Sequence, residues 1–278
     1  MDATATTVPD PPRRIVDDQG TGLSLGRVRR VVSLVPSLTE AVAVSAPGLL
    51  VGATDWCTHP AGLEVERIGG TKNPSTARII ALAPDLVLAN EEENRAPDLD
   101  ALRAAGIPVW VTEIRTLDQA LTSLDRMLTT ACDLPRPSWL DLARDAWDHV
   151  RPVEPAVRAI VPIWRRPWMV LGRDTFGGDV LARLGVRNLY ADHAERYPAI
   201  PVEELAASEA ELVVLPDEPY RFTADDGPEA FGVTSALVSG RYLTWYGPSL
   251  VEAAAILAEQ LGPAVDAPRR SARGPASA

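Results

Sequence analysis

Polar and aromatic side chains stand directly after several apolar segments of the chain. Ligands of open α/β sheets bind beyond the carboxyl ends of the strands, so these side chains are candidates for contact with a small molecule. Tryptophan and tyrosine rings stack on flat or bulky ligands, and charged groups orient them. The candidates in the first half are Pro36, Ser37, Trp56, Thr71, Lys72, Asn73 and Glu92. Those in the second half are Trp164, Arg165, Trp168, Arg196, Tyr197, Glu218, Tyr220, Trp245 and Tyr246.

Each group of candidates has a purely structural alternative. The segment 69–74 is a good turn by itself, with Lys72, the only lysine, as its solvated tip. The run of three glutamates from Glu91 is typical of a solvated face. Trp245 could equally be a core residue, in which case its loss would cost stability instead of affinity.

The sequence leaves two further classes of function open. An enzyme could employ Glu92 and Glu218 as acid and base, with Lys72 as electrophile or nucleophile. A direct metal receptor could combine His59 and His193 with carboxylates. Phosphate-loop, serine-hydrolase and zincin motifs do not occur in the sequence. These three kinds of enzyme therefore lose their usual support, an enzyme is not the leading prediction, and no catalytic residue, metal site or cofactor is predicted.

The composition argues against some classes of partner. The 278 residues are 46% hydrophobic and carry a formal charge of -11, which argues for a globular chain and against a nucleic-acid partner. The longest apolar stretch, 41–53, is interrupted and too short to be inserted in a membrane. The first 27 residues contain no apolar signal core, so the chain as written is expected in the cytoplasm.

Apolar runs alternate with helical patterns, which favours parallel α/β structure. Buried strands are predicted at 30–35, 86–89 and 109–112. Between the first two, Ser37 and Glu40 have the spacing of a capping box, which predicts that a helix begins at Ser37.

The sequence also repeats once. Segments 32–36 and 85–92 resemble 158–162 and 211–218, both at an offset of 126 residues. Two matches at one offset predict two lobes of like topology, with Pro36 and Pro162 ending equivalent strands. Trp139, Ala143, Ala146 and Val150 form one stripe of a connector helix. The expected organisation is a disordered segment 1–27, an α/β lobe 28–134, a connector helix 135–152, a second α/β lobe 153–263 and a disordered tail 264–278.

Four strings carry a family resemblance: Ser33-Leu-Val-Pro-Ser-Leu-Thr-Glu40, Gly69-Gly-Thr-Lys-Asn-Pro74, Arg78-Ile-Ile-Ala-Leu-Ala-Pro-Asp-Leu-Val-Leu88 and Gly106-Ile-Pro-Val109. Over 30–262 the chain resembles the helical-backbone (class III) substrate-binding proteins of ABC importers, which include vitamin B12, haem and ferric-siderophore receptors. The resemblance implies two lobes joined by one helix, with a corrinoid, haem or ferric-siderophore type of ligand in the cleft between them. It implies ligand contacts at Pro36, 71–73, 164–168 and 245–246.

The resemblance also bears on transport. Such receptors are usually periplasmic or lipid-anchored, and they typically present one glutamate per lobe to arginines of the permease. Glu203 keeps that position in the second lobe, whereas Ala77 occupies it in the first. An ABC permease therefore remains a candidate partner, although the missing glutamate weakens the case for it.

Overall fold

The computed structural model describes residues 12–151, 154 and 156–272, and it divides into two compact units. Among the described residues, the first unit runs to Glu113 and also contains Thr122–Pro137. The second unit comprises Ile114–Leu121 and the residues from Ser138 onward.

The first unit is built on a five-stranded parallel sheet with the order β5-β4-β3-β8-β9. Its strands are β3 (Val31–Ser33), β4 (Leu50–Ala53), β5 (Glu66–Arg67), β8 (Leu86–Asn90) and β9 (Val109–Thr112). Val31, Leu86 and Trp110 are fully buried, as expected for strands covered on both faces, which read as continuous apolar runs. The predicted strands at 86–89 and 109–112 are confirmed.

Helices and two small hairpins complete this unit. The helices are α1 (Pro36–Ser45), α2 (Thr76–Ala81) and α3 (Ala96–Ala104), and a hairpin consists of β6 (Gly69–Gly70) and β7 (Asn73–Pro74). The predicted capping box is wrong, because Pro36 is the first residue of α1 and Val35 its N-cap. Proline suits that position since it has no N–H group to leave unsatisfied. Ser37 and Glu40 are consequently buried inside the helix.

A second hairpin precedes the sheet, with strands β1 (Arg13–Val16) and β2 (Gly22–Leu25). The Asp17 carboxylate accepts hydrogen bonds from the N–H groups of Gln19 and Thr21 in the turn, and from Val111 of β9. These bonds fasten the hairpin to the edge of the sheet. The expected disorder of 1–27 is therefore wrong from Arg13 onward, while residues 1–11 lie outside the described residues.

The second unit has a four-stranded parallel sheet with the order β13-β10-β14-β15. Its strands are β10 (Val157–Ile160), β13 (Val186–Asn188), β14 (Leu212–Pro216) and β15 (Thr234–Val238), and an antiparallel hairpin consists of β11 (Pro162–Arg165) and β12 (Trp168–Val170). Its helices are α5 (Ser138–Asp148), α6 (Phe176–Arg183), α7 (Val202–Ala206), α8 (Gly240–Thr244) and α9 (Leu250–Ala272). The helix α4 (Leu117–Arg126) contains the boundary between the units and continues as a π-helical turn, Met127–Ala131.

The two sheets confirm the predicted duplication. An offset of 126 residues carries β3 onto β10 and β8 onto β14, and β9 onto β15 within one residue. The strand order of the three is the same in both sheets. The prediction for the prolines is wrong in detail, since β3 and β10 end at Ser33 and Ile160. Pro36 then begins a helix, whereas Pro162 begins the hairpin β11–β12.

A helix is present in the range predicted for the connector, as α5, but it is shorter than expected and belongs to the second unit, whereas α4 contains the boundary between the units. The buried residues of α5 are Trp139, Leu140, Ala143 and Trp147, whereas the predicted stripe contained Ala146 and Val150. Trp147 donates its indole N–H to the carbonyl of Leu250 at 3.0 Å, which fixes α5 to α9 within the second unit. The tail predicted from residue 264 is helical through Ala272. None of the described helices is both long and apolar enough to cross a membrane.

Candidate ligand-binding surfaces

In the first unit, the candidates meet where the β6–β7 turn lies beside the end of β8. Lys72 at the tip of the turn is exposed, and its ammonium group donates to the backbone carbonyl of Glu92. Burial raises the pKa of Glu93, and the charge of Lys72 opposes that rise. The turn needs Gly69, whose φ of +92° few side chains tolerate. Lys72 therefore joins the two loops, and its charge acts on the Glu93 carboxyl group.

Two asparagines that are four residues apart build this loop. The side-chain oxygen of Asn90 accepts from the N–H groups of Glu92 and Glu93 at 2.9 and 3.3 Å. Asn94 is buried, and its amide donates to the carbonyl of Thr71 at 3.1 Å. Sequence reasoning gave neither asparagine a role, although asparagines just after a strand are typical of side-chain to backbone bonding.

The other candidates of the first unit differ in how far their side chains are exposed. Trp56 is 66% exposed, the most open tryptophan among the large exposed apolar residues. A Cβ atom at Gly70 would lie 3.5 Å from its indole nitrogen, so the ring stands beside the turn. Pro36 is half-buried, Ser37 is buried, and Asn73 is exposed. Trp56 thus offers an open ring face, while Ser37 does not face solvent.

In the second unit, five rings form one aromatic cluster: Trp164, Trp168, Tyr220, Phe222 and Phe231. The hairpin β11–β12 supplies the two tryptophans, and the segment after β14 supplies the others. Trp168 stacks on Phe222 with ring centres 5.9 Å apart, and Trp164 meets Tyr220 edge-on at 5.7 Å. Trp164 is 42% exposed, so one large ring lies on the surface above a packed base.

Arg165 lies within this cluster but its charge is compensated. Its guanidinium forms ion pairs with Asp226 and with Glu229, the latter at 2.5 Å, and lies 5.3 Å from the centre of the Trp168 ring. Tyr220 also donates its hydroxyl to Asp226 at 2.7 Å. Arg165 therefore holds the 226–229 loop against the hairpin. Sequence reasoning missed Asp226 and Glu229 because nothing local in the sequence links them to the hairpin.

Glu218 and Trp245 form a second polar feature of this unit. The indole N–H of Trp245 donates to the Glu218 carboxylate at 3.1 Å. Gly240 begins α8 so close to Glu218 that a Cβ atom there would lie 2.6 Å from its backbone nitrogen. Trp245 is 8% exposed and Tyr246 is buried against Phe176, with ring centres 5.6 Å apart. Neither residue presents an open ring face.

Arg196 and Tyr197 lie on the segment that pairs with β12. The guanidinium of Arg196 donates to the carbonyl of Asp174 at 3.1 Å and lies 5.7 Å from the centre of the Tyr197 ring. Their neighbours differ from those of the aromatic cluster. The structure thus brings Trp164, Arg165, Trp168 and Tyr220 together and places Arg196 and Tyr197 elsewhere in the unit.

The raised pKa of Glu218 leads us to expect that the stability of the protein depends on pH. Burial, followed by the charge of Asp217, raises the pKa of Glu218, while Trp245 and Arg241 oppose the rise. A carboxyl group whose pKa is higher in the folded than in the unfolded state adds to stability at pH values below its unfolded pKa. That contribution is lost as the pH rises through the folded pKa. We expect wild type to lose stability relative to Glu218→Gln as the pH increases from about 4, near the ordinary pKa of a glutamate carboxyl. Urea unfolding of both proteins between acidic and neutral pH measures the difference, and parallel curves would contradict the assignment.

The histidines and carboxylates considered for a direct metal receptor do not assemble into a metal site in the described part of the chain. Within the described part of the chain, no three His, Cys, Asp or Glu side chains lie close enough to hold a metal ion. His193 accepts a hydrogen bond from the N–H group of Glu195, and the His59 ring contacts Thr58.

Comparison with known proteins gives one family. A family model described as "Periplasmic binding protein" matches residues 31–231. The vitamin B12-binding protein of Yersinia pestis (strain Pestoides F) is 26% identical over 195 residues, which cover 67% of this chain and 69% of that protein.

Solved structures agree on the fold. The periplasmic vitamin B12 binding protein BtuF of Vibrio cholerae has a TM-score of 0.69 at 19% identity, with 86% of this chain and 98% of that chain covered. A periplasmic heme binding protein from Pseudomonas aeruginosa has a TM-score of 0.65 at 25% identity, with 84% and 92% covered.

Proposed function

Because the chain belongs to the periplasmic binding protein family, we propose that it binds a bulky, flat or metal-chelating small molecule of the corrinoid, haem or ferric-siderophore type. The observation that carries this proposal is the exposed Trp164 ring above the aromatic cluster. An open indole on a packed base can stack on a large planar ligand without rearranging, and such rigidity lowers the entropic cost of binding.

The first unit contributes a second surface to the proposal. Trp56 offers another open ring, and the Lys72 turn beside it is held in place by Asn94. Lys72 donates to the Glu92 carbonyl and acts on the charge of Glu93, and Asp226 and Glu229 neutralise Arg165, so the charged groups at both surfaces are engaged before a ligand arrives. Stacking and burial of apolar area are therefore the main source of affinity, and polar contacts set orientation.

Delivery to an ABC permease is part of the proposal. Glu203 is exposed at the start of α7 and would pair with a basic residue of such a partner. Ala77 is exposed on α2, the equivalent helix of the first unit, and carries no charge. Docking would thus depend mainly on the second unit.

A ligand screen tests the binding function. Cyanocobalamin, haemin and a ferric catecholate are each titrated into the full chain while thermal unfolding and tryptophan emission are recorded. We expect one probe to raise the melting temperature saturably and to quench emission, since a ligand at 100 times its Kd stabilises by about 2.7 kcal/mol. If all three probes leave both signals unchanged up to their solubility limits, the proposed ligand class is wrong.

A further inference from the structure

The strand β15 forms one edge of the parallel sheet of the second unit, and its inner side pairs with β14. The carbonyl of Val238 on this strand accepts from the N–H group of Asp217 at 3.1 Å, so Val238 turns its backbone groups toward β14. Backbone groups of alternate residues point to opposite sides of a strand, so Ser235 and Leu237 turn theirs outward. No described residue forms a hydrogen bond with these outward groups.

The equivalent edge of the first unit is covered. At an offset of 126 residues, β9 pairs with β8 in the same register as β15 pairs with β14, and Val111 corresponds to Leu237. The N–H group of Val111 donates to the carboxylate of Asp17 at 3.3 Å, and its carbonyl accepts from the N–H group of Asp18 at 3.2 Å. Val111 is fully buried, whereas Leu237 is 41% exposed. Leu237 thus offers the backbone groups that the β1–β2 hairpin binds in the first unit.

Two other edges of the parallel sheets carry features that discourage strand pairing. The strand β5 consists of Glu66 and Arg67 alone, and β13 has the exposed Arg187 at its centre. Charged side chains and short length are common protections of an open edge. The strand β15 has five residues, and no charged residue or proline occurs in 231–240. Its edge is therefore a template on which another strand can pair.

The open groups of β15 are self-complementary. In an antiparallel ladder, residue pairs that exchange two hydrogen bonds alternate with pairs that exchange none. When two copies of β15 meet antiparallel about Ala236, Ser235 of each copy faces Leu237 of the other, and these two pairs make four hydrogen bonds. The N–H group of Ser239 already donates to the side chain of Gln260 at 3.0 Å, which limits the open edge to Ser235 and Leu237.

We propose that β15 is a dimerisation strand, which pairs antiparallel with β15 of a second copy of this chain. The two four-stranded sheets then continue across a two-fold axis, and the assembly is closed because each copy uses the same edge. The two Leu237 side chains lie diagonally opposite on one face of the joined sheet, within reach of each other. The proposal depends neither on the ligand nor on a permease.

Sedimentation velocity of the full chain tests the proposal over a range of protein concentrations, at low and at high sodium chloride. We expect a monomer–dimer equilibrium without larger species. Added salt should strengthen the dimer, because each chain has a formal charge of -11 and salt screens the repulsion between two copies.

Leu237→Pro removes one outward N–H group from each copy, and with it two of the four hydrogen bonds of the dimer. We expect the dimer to weaken by about tenfold or more. The fold should be retained, since proline is tolerated at an edge position whose N–H group faces solvent. Leu237→Lys is the second variant, because lysine on an edge strand opposes pairing. Leu142→Lys, at another exposed apolar residue of the same unit, is its matched control and should dimerise as wild type does.

Hydrogen exchange of the wild type gives a measurement that needs no variant. The amides of Ser235 and Leu237 should exchange more slowly at concentrations at which the dimer forms. The proposal is overturned if the wild type stays monomeric at high salt up to its solubility limit, or if it assembles beyond a dimer. It is also overturned if folded Leu237 variants dimerise as tightly as the Leu142 variant, or if dimerisation leaves the exchange of both amides unchanged.

Discussion

Replacing Trp245 by alanine is expected to lower the free energy of unfolding by about 3 to 5 kcal/mol. The ring is 8% exposed, and its indole N–H donates to Glu218. Removing it leaves a cavity and takes a donor from a partly buried carboxylate, and each loss destabilises the folded state. Urea unfolding, followed by circular dichroism, measures the change.

Trp245→Phe is the matched control for that experiment. Phenylalanine keeps a smaller buried ring and loses the hydrogen bond to Glu218, so we expect a cost of about 1 to 3 kcal/mol, below that of alanine. An alanine variant as stable as wild type would show that Trp245 is not a core residue. The stacking role that its sequence position suggested would then be the better interpretation.

Trp164→Ala is expected to weaken binding of the ligand identified in the screen by about 1 to 3 kcal/mol, which is roughly 5- to 150-fold in Kd. The reason is that Trp164 presents an open ring, being 42% exposed, whereas the rings beneath it are packed on one another. The melting temperature should change little, because an exposed side chain contributes little to the core. Titration calorimetry of wild type and variant gives the ratio of Kd values.

Leu142 provides the control for Trp164, since it is an exposed apolar residue on α5 with 53% exposure. Leu142→Ala should leave affinity and melting temperature unchanged. Equal affinity of wild type and the Trp164 variant would remove the aromatic cluster from the ligand site and leave the first-unit surface at Trp56 as the remaining candidate.

Sequence reasoning identified the architecture because repeated local patterns carry it. The matched segments at an offset of 126 residues became the equivalent strands β3 and β10, and β8 and β14. Buried parallel strands need continuous apolar runs, and such runs are visible in one sequence. The start of α1 was misplaced because Ser37 and Glu40 fit a capping box, while Pro36 is equally suited to the first helical position and lies there.

The N-terminal hairpin shows where local sequence patterns mislead. The hairpin β1–β2 looks like loose polar chain in the sequence, because its stability comes from contacts far along the chain. Asp17 binds the backbone of Val111, and Asp18 forms an ion pair with Arg126 at 2.5 Å. Composition near a terminus does not contain such partners.

The sequence by itself determined the two α/β units, their like topology and the set of residues at strand exits from which a site is built. Only the tertiary structure decided which of these residues are open and which are engaged. Trp164 and Trp245 look alike in sequence, as tryptophans beside arginine or tyrosine in loops, yet Trp164 is exposed and Trp245 is buried on Glu218. Likewise, the partners of Arg165 are Asp226 and Glu229, some sixty residues away. Exposure and charge compensation depend on what packs against a side chain, and the packing partners come from distant segments of the chain.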